Sequence, residues 1–500
     1  MKKIVIIGAG IGGLTAGNLL AKKGHQVTLF EAHSTPGGYI AGFSRRGYYF
    51  ESGTLSFESS SQVFHVMKKI GVYDKINFVK KEPFRFVSDE FDSTIDSWGD
   101  MKQLLYSSYS DQKENINSYF AVLDPIIKEL KTISSIPSPT YAKGIKKLFL
   151  GLLFLLKGGR FMKLFNKYGP VTVLEFVSQF FKKDTRIFNF LSTLGYPEMS
   201  SIGLAGMMEM FTDFWTVKDG LQSWADVLAA NFKQLGGDLK LNAYVDKIIT
   251  KNGTAVGVKV GNQTYRADYV LSAGDYKKTF LKLLDNKSLI PNEMLNRIKE
   301  APVSKPFFTA YLGLNLPNDI LRKNMQVAAI MLFNTLKQGD AENPFDEDFF
   351  DKYPLVIYSP SMINEQLAPD GKSSLMIQAI APHGWMDNWG GGNKEKYASL
   401  KQRVMETFIK RTEAIIPNLF NYIDYADAAT PLTYERYTHN TGGAHTSWSI
   451  DSRKSYYSSG TTMKIDTPVK HLYISSGWAT PYGGVPEAMG VGYTCAQVIR

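Results

Sequence analysis

Three stretches of this 500-residue chain predict its fold class, α/β. The first opens with the apolar run KKIVII from Lys2 to Ile7, which leads straight into GAGIGG and then LTAGNLLAKKG, an apolar-faced helix pattern closed by Gly24. A second strand, QVTLFEA, follows. Strand, glycine turn, helix and strand in that order is the setting in which a GxGxxG pattern carries meaning, and it is Rossmann-like. The second stretch, residues 217–276, reads as a helix, a strand ending near Val245, a hairpin and a strand closing at Ala273 and Gly274. The third, LYISSGWATPYGGVPEAMGVGYTCAQVI at 472–499, reads as a strand, a glycine turn, GGVP and a helix whose first turn suits Pro486.

Each glycine of the first motif has a separate physical task. Gly8 allows the tight turn, Gly10 lets backbone approach a pyrophosphate, and Gly13, after Gly12, lets helix and strand pack closely. Phosphates would rest on the helix N-terminus, where unpaired N–H groups and the macrodipole favour negative charge. Glu31, followed by Ala32, ends the second strand, where it would accept from ribose hydroxyls and repel a 2′-phosphate, which argues against NADP. Beyond Glu31 a second glycine pair, Gly37 and Gly38, opens PGGYIAGF, followed by RRGYYFESGT. NAD needs no further backbone approach there, whereas FAD is longer and its ribityl chain must be carried onward.

On these residues the N-terminal stretch resembles the two-dinucleotide-binding-domain flavoproteins, in particular the phytoene desaturase family of carotenoid desaturases, carotenoid isomerases and retinol saturases. Residues 217–276 and 472–499 are similar to further segments of that family, and TPLTYERYTHNTGGAHTSW at 430–448 is like its segment lining the substrate side of the flavin. The resemblance implies FAD as cofactor and a discontinuous FAD-binding domain made of 1–75, 217–285 and 465–500. It implies Val245 at the adenine end, Ala273 and Gly274 completing that domain, and Gly477, Val485, Pro486 and Met489 in the closing segment. The last helix would then point its N-terminus at the flavin N1/C2 edge. Two departures stand out. Tyr39 stands where many relatives carry a basic residue near the pyrophosphate, leaving Arg45 or Arg46 to substitute. Gly477-Trp478 replaces a common Gly-Asp, leaving backbone N–H groups to replace the carboxylate.

Residues 76–216 and 286–464 then form an inserted mixed α+β substrate domain. FFTAYLGL, PLVIYSPS and SSLMIQAIAP read as its strands, with TPLTYERYT as a candidate fourth, and helical patterns cover 112–132, 172–192 and 397–415. Within a helical lid at 120–215, Tyr141 to Tyr168 contains no acidic residue. Lys143, Lys146, Lys147, Lys157, Arg160, Lys163 and Lys167 bracket Leu148–Leu156 there. That run falls short of the roughly 18 apolar residues that span a bilayer, but a basic, Leu-rich helix can lie in the headgroup region. The expectation is a cytoplasmic protein, peripheral on the inner face of the membrane; a lid buried on the protein's own core, or a dimer contact, is the alternative.

Charge and composition narrow the chemistry. With 57 Lys+Arg against 47 Asp+Glu the chain is basic, but its cations cluster with Leu and Phe, which gives nucleic-acid binding little support. A single cysteine, Cys495, excludes an internal disulfide framework and a cysteine-built metal site, and no metal is expected. No Ser/His/Asp or P-loop constellation is legible, which suits a flavin that itself takes or gives hydride. His445, in the GGAH segment, is the candidate catalytic acid or base; the plainer reading is that it only shapes the pocket. Trp215, Phe214, Met208 and Trp448 are candidates for an apolar substrate pocket, with Met207, Met210 and Phe211 beside them, or else simple core. With these features, the resemblance implies an FAD-dependent oxidoreductase acting on carbon–carbon bonds of a long apolar, isoprenoid- or carotenoid-like substrate by hydride transfer with flavin N5. Desaturation, saturation and isomerisation stay open, and the electron donor or acceptor is not encoded in these residues. An amine-oxidase-like flavoenzyme and a non-catalytic prenyl carrier are the alternatives.

Overall fold

The computed structural model describes residues 1–134, 144–194, 196–210, 212–333, 345–451, 453–457 and 463–499. All three stretches named above contribute strands to one parallel sheet, in the order Leu472–Ile474, Tyr269–Ser272, Lys3–Ile7, Gln26–Phe30, Asp238–Lys240. Ile4, Val5, Ile6 and Ile7 are all buried, the continuous apolar character a central parallel strand needs. The helices Ile11–Lys22 and Val485–Val498 lock the two chain ends together: a Cβ added at Gly492 would lie 2.3 Å from the Gly12 carbonyl oxygen. The strand expected to end near Val245 stops at Lys240, because Asn242 turns the chain with φ 52° and Ala243 N–H donates to the Glu31 carbonyl. Where one hairpin was expected, three antiparallel strands form, Lys247–Lys251, Thr254–Val260 and Gln263–Arg266.

A second, seven-stranded sheet runs Ile423–Ala429, Phe307–Leu314, Ser373–Ile380, Leu355–Tyr358, Ala329–Leu332, Phe84–Val87, Asp92–Ile95. Three of its strands are those expected. The fourth is not TPLTYERYT: Pro431–Thr438 is a helix, and the preceding segment Ile423–Ala429 pairs with Phe307–Leu314 instead. The β-branched and aromatic residues suggested a strand, but Thr430 and Thr433 form a reciprocal cap around Pro431 in the first turn, and capping decides. The helical pattern at 172–192 is likewise broken, into Val173–Val177 and Arg186–Leu194, with Asp184 at φ 62° between them.

Packing crosses the sequence segments. Tyr48 and Phe50 bury in the core beneath the seven-stranded sheet, while Ala444, Trp448, Tyr456 and Tyr457 bury in the core of the parallel sheet. Two long helices, Lys113–Ser134 and Gly144–Tyr168, pack on each other and on Ser201–Met210. Among the described residues no helix is long and apolar enough to cross a membrane.

Candidate active site

A cavity of about 890 Å3 is lined by residues of both sheets. Its first wall is backbone. Gly8, with φ 99°, donates its N–H to the Phe30 carbonyl at 2.7 Å, and Gly37, with φ 128°, donates to the Ala9 carbonyl at 2.9 Å, so the two glycine turns are tied to each other. Gly10 lines the cavity, and a Cβ built there meets nothing within 4 Å. Gly13 does the packing work expected of it: its added Cβ would sit 2.1 Å from the Gly8 carbonyl oxygen. The Glu31 carboxylate accepts from Ala9 N–H at 2.7 Å and His33 N–H at 2.8 Å, and Ala32, Tyr244 and Val245 line the same end.

At the other end, Ala273, Gly274, Gly477, Gly484, Val485 and Ala488 line the cavity. The Ser476 hydroxyl donates to the Gly274 carbonyl at 3.0 Å, and a Cβ on Gly477 would meet the Gly483 carbonyl oxygen at 2.6 Å. Pro486 and Met489 are buried behind this wall and do not line it. Neither Gly10 nor Gly484, the residues preceding the helices Ile11–Lys22 and Val485–Val498, has a side chain with which to cap them, so backbone at both helix starts stays open to a ligand in the cavity. Glycine turns open to free space, a carboxylate at one end and two uncapped helix N-termini match a long dinucleotide with an anionic middle and an electron-accepting ring. These residues fit FAD.

Tyr39 is not oriented as a phosphate ligand. Its hydroxyl donates to the Ala444 carbonyl at 2.7 Å, its ring stacks on Tyr434 at 6.1 Å, and burial pushes its phenol far up. Of the expected substitutes, Arg45 ends the strand Gly42–Arg45 and lines the cavity over the Phe43 ring at 5.2 Å, while Arg46 in the following turn sits 5.9 Å from the Tyr425 ring and is not in the lining.

The opposite wall is side chains, among them Phe84, Leu194, Met207, Phe214, Met331 and Val356. Of the pocket residues expected from sequence, Phe214 is here and three are not. Met208 is buried in the core because neighbouring helix positions point about 100° apart, and Met207 takes the cavity side. Trp215 donates its indole N–H to Asp213 Oδ1 at 2.9 Å and packs its ring on Phe64. Trp448 stacks on Tyr456 at 4.4 Å and donates to the Trp478 carbonyl at 3.0 Å, buttressing the closing segment from behind. Phe211 and the Met210 side chain lie outside the described residues.

His445 does reach the cavity. Its Nδ1–H donates to the Lys305 carbonyl, its ring packs 4.4 Å from Phe307, and burial pushes its pKa down to about 4. It is therefore neutral at ordinary pH, with Nε2 free of a proton: a hydrogen-bond or proton acceptor, not an acid. Sequence reasoning missed Lys81, which is buried in the cavity wall and whose pKa burial pushes down to about 7. Lys80 beside it is exposed, and nothing in KK marks which lysine turns inward. Glu51, buried nearby, is pushed up to about 8 by burial and accepts from the Tyr49 hydroxyl at 2.8 Å. Among the described residues no group of three metal-ligating side chains gathers.

Comparison with known proteins agrees with this geometry. Residues 11–499 match the family model of flavin containing amine oxidoreductases. The 4,4'-diapophytoene desaturases (4,4'-diaponeurosporene-forming) of Staphylococcus aureus strains RF122/ET3-1 and Newman are each 22% identical to this chain, covering 97% of it and 96% of their own length. In structure, the chain is similar to an oxidoreductase from Methanosarcina mazei (TM-score 0.62, 17% identity, 98% of this chain and 99% of that one). It is similar too to putrescine oxidase bound to putrescine (TM-score 0.63, 15% identity, 100% and 99%). With the match running from the first helix to the last, this chain belongs to the flavin-containing amine oxidoreductase family, as an FAD-dependent, phytoene desaturase-like oxidoreductase.

Proposed function

We propose that this enzyme oxidises, reduces or isomerises carbon–carbon bonds of a long apolar polyene. FAD, when bound, supplies the two-electron chemistry by taking or giving a hydride at a substrate carbon. Gly8, Gly10, Gly12, Gly37 and Gly38 would hold its phosphates, Glu31 and Ala32 its ribose, Val245 its adenine, and Ala273, Gly274, Gly477 and Val485 the flavin end. The observation that carries the substrate reading is the apolar second wall: Phe84, Leu194, Met207, Phe214, Met331 and Val356 line the space facing the glycine turns. Such a wall excludes water and seats a hydrocarbon by burial, about 25 cal/mol for each Å2 removed from water. His445, held by the Lys305 carbonyl and neutral, can take a proton at Nε2 from a substrate carbon and return it.

The same reading brings the substrate from a membrane. Helix Gly144–Tyr168 exposes Ile145 (86%), Leu148 (75%), Leu155 (75%) and Leu156 (75%) at helical spacing, with Lys147, Lys157, Arg160, Lys163 and Lys167 exposed around them. This supports a peripheral position on an anionic bilayer, each basic residue near the surface contributing ~1 kcal/mol. Tyr141 and Lys143 of the basic segment, and the Lys146 side chain, lie outside the described residues.

The test is anaerobic incubation of the holoprotein with a panel of polyenes and of primary amines including putrescine, following flavin colour and product mass. Polyenes should bleach or recolour the flavin, or isomerise on it, while amines leave it unchanged. Bleaching by amines alone, with release of aldehyde, overturns the reading.

A further inference from the structure

Among the described residues two cations are buried, and their surroundings differ. Arg85 donates from Nε and Nη2 to the two carboxylate oxygens of Asp92 at 2.7 and 2.6 Å, and from Nη1 to the Asn324 and Met325 carbonyls. Lys81, 7% exposed, has no hydrogen bond from Nζ and no carboxylate within 4.0 Å among the described residues. Its neighbour Glu51 accepts from Tyr49 and from Leu221 N–H at 3.1 Å, not from the lysine. What faces the Lys81 ammonium instead is aromatic: the Tyr358 ring centroid at 4.4 Å and that of Phe84 at 5.1 Å.

Rings only partly replace the water an ammonium gives up on burial. The other cations of the cavity lining are at least partly exposed, and Lys401 is paired with Asp427 at 2.7 Å. Lys81 is also fixed in place, since its backbone N–H donates to the carbonyl of Phe214, a residue of the apolar wall. A pure hydrocarbon filling this space would leave Lys81 facing only rings and apolar surface. An anionic oxygen brought in at the end of an apolar chain would complete it with a charge-assisted hydrogen bond.

We infer that Lys81 is a specificity-determining residue that receives the carboxylate end of an otherwise apolar substrate, beside Phe84 in the cavity wall. The inference rests on the polyene reading of the cavity and narrows it to acids. Burial moves the Lys81 amine down to about 7, although the Glu51 charge draws it up, and moves the Glu51 carboxyl up to about 8, so near neutrality much of Glu51 is uncharged and an arriving carboxylate would hold Lys81 in its charged form.

The experiment is equilibrium binding to the oxidised holoprotein without turnover, read from the flavin visible band, using retinoic acid, methyl retinoate and squalene. The acid should bind about tenfold tighter than its ester, the size of one charge-assisted hydrogen bond. In Lys81→Met and Lys81→Gln, each checked for flavin content, that preference should disappear while methyl retinoate binds as before. Equal binding of acid and ester to the unaltered protein overturns the inference without recourse to any variant, and leaves the polyene reading standing if all three bind. A preference that survives in Lys81→Met overturns it too. Failure of all three to bind overturns both readings.

Discussion

A methyl group added at Gly12 would come within 2.3 Å of the Ser475 carbonyl oxygen, and one at Gly477 within 2.6 Å of the Gly483 carbonyl oxygen. Across the cavity, Phe84, Met207 and Phe214 meet the same space with flexible or rotatable side chains. One wall is thus backbone against backbone, where Gly12, Gly13 and Gly477 leave no room for a Cβ; the other is packing that can be recut. The difference teaches where a family can change. A cofactor wall made of main chain cannot drift, whereas a substrate wall made of Met and Phe can accept new ligands at modest cost.

The contrast breaks first at Gly12. Gly12→Ala should lose about 4 kcal/mol of stability, the high end for overpacking, because both clashing groups are main chain. Urea unfolding of the purified variant measures it, and an unchanged midpoint would show that the glycine contact between the chain ends is loose. The exposed helix comes next. Leu148→Glu combined with Leu155→Glu should weaken binding to anionic vesicles by about 3 kcal/mol, roughly a hundredfold in flotation, with the melting temperature unmoved. A fall in melting temperature with flotation preserved would make that face a protein contact instead.

His445 gives a pH-dependent effect of similar size. Its folded pKa, about 4, lies below the ordinary histidine value, so on acidification the unfolded chain takes up this proton first. Stability present above pH ~6.5 is therefore lost progressively towards pH ~4, on the order of 3 kcal/mol, and His445→Gln should flatten that part of the stability–pH curve. An identical slope in the variant would place the ring in water. Least of all, Met207→Ala should raise KM for an apolar substrate about fivefold, near 1 kcal/mol, without altering flavin content. Loss of flavin there would mean that the two walls are not separate.

The backbone wall was legible in the sequence because its requirement is compositional: only glycine fits at Gly8, Gly12 and Gly13, so GAGIGG announces itself. GGVP did the same for the helix Val485–Val498, through Pro486 in its first turn. Beyond Phe214, the side-chain wall was poorly legible, for physical reasons that differ by residue. Met207 and Met208 are adjacent and alike, and only the helix phase against the core sorts them. Trp448 looked like a pocket residue but supports Trp478 through a hydrogen bond between residues thirty positions apart. TPLTYERYT had strand composition yet became a helix because Thr430 caps it. Lys81 had no pattern at all, since its burial depends on Phe84 and Tyr358 from separate strands of the second sheet.

The position that separates cofactor binding from folding is Gly10, where an added Cβ meets nothing within 4 Å of protein. Titration of FAD into flavin-stripped protein, with apoprotein melting temperature measured in parallel, tests whether main chain from both ends of the sequence grips the dinucleotide. The predicted result is one FAD per chain for the unaltered protein. For Gly10→Val it is an unchanged apoprotein melting temperature with FAD affinity lower by about a hundredfold. Equal FAD affinity in Gly10→Val would contradict the backbone clasp.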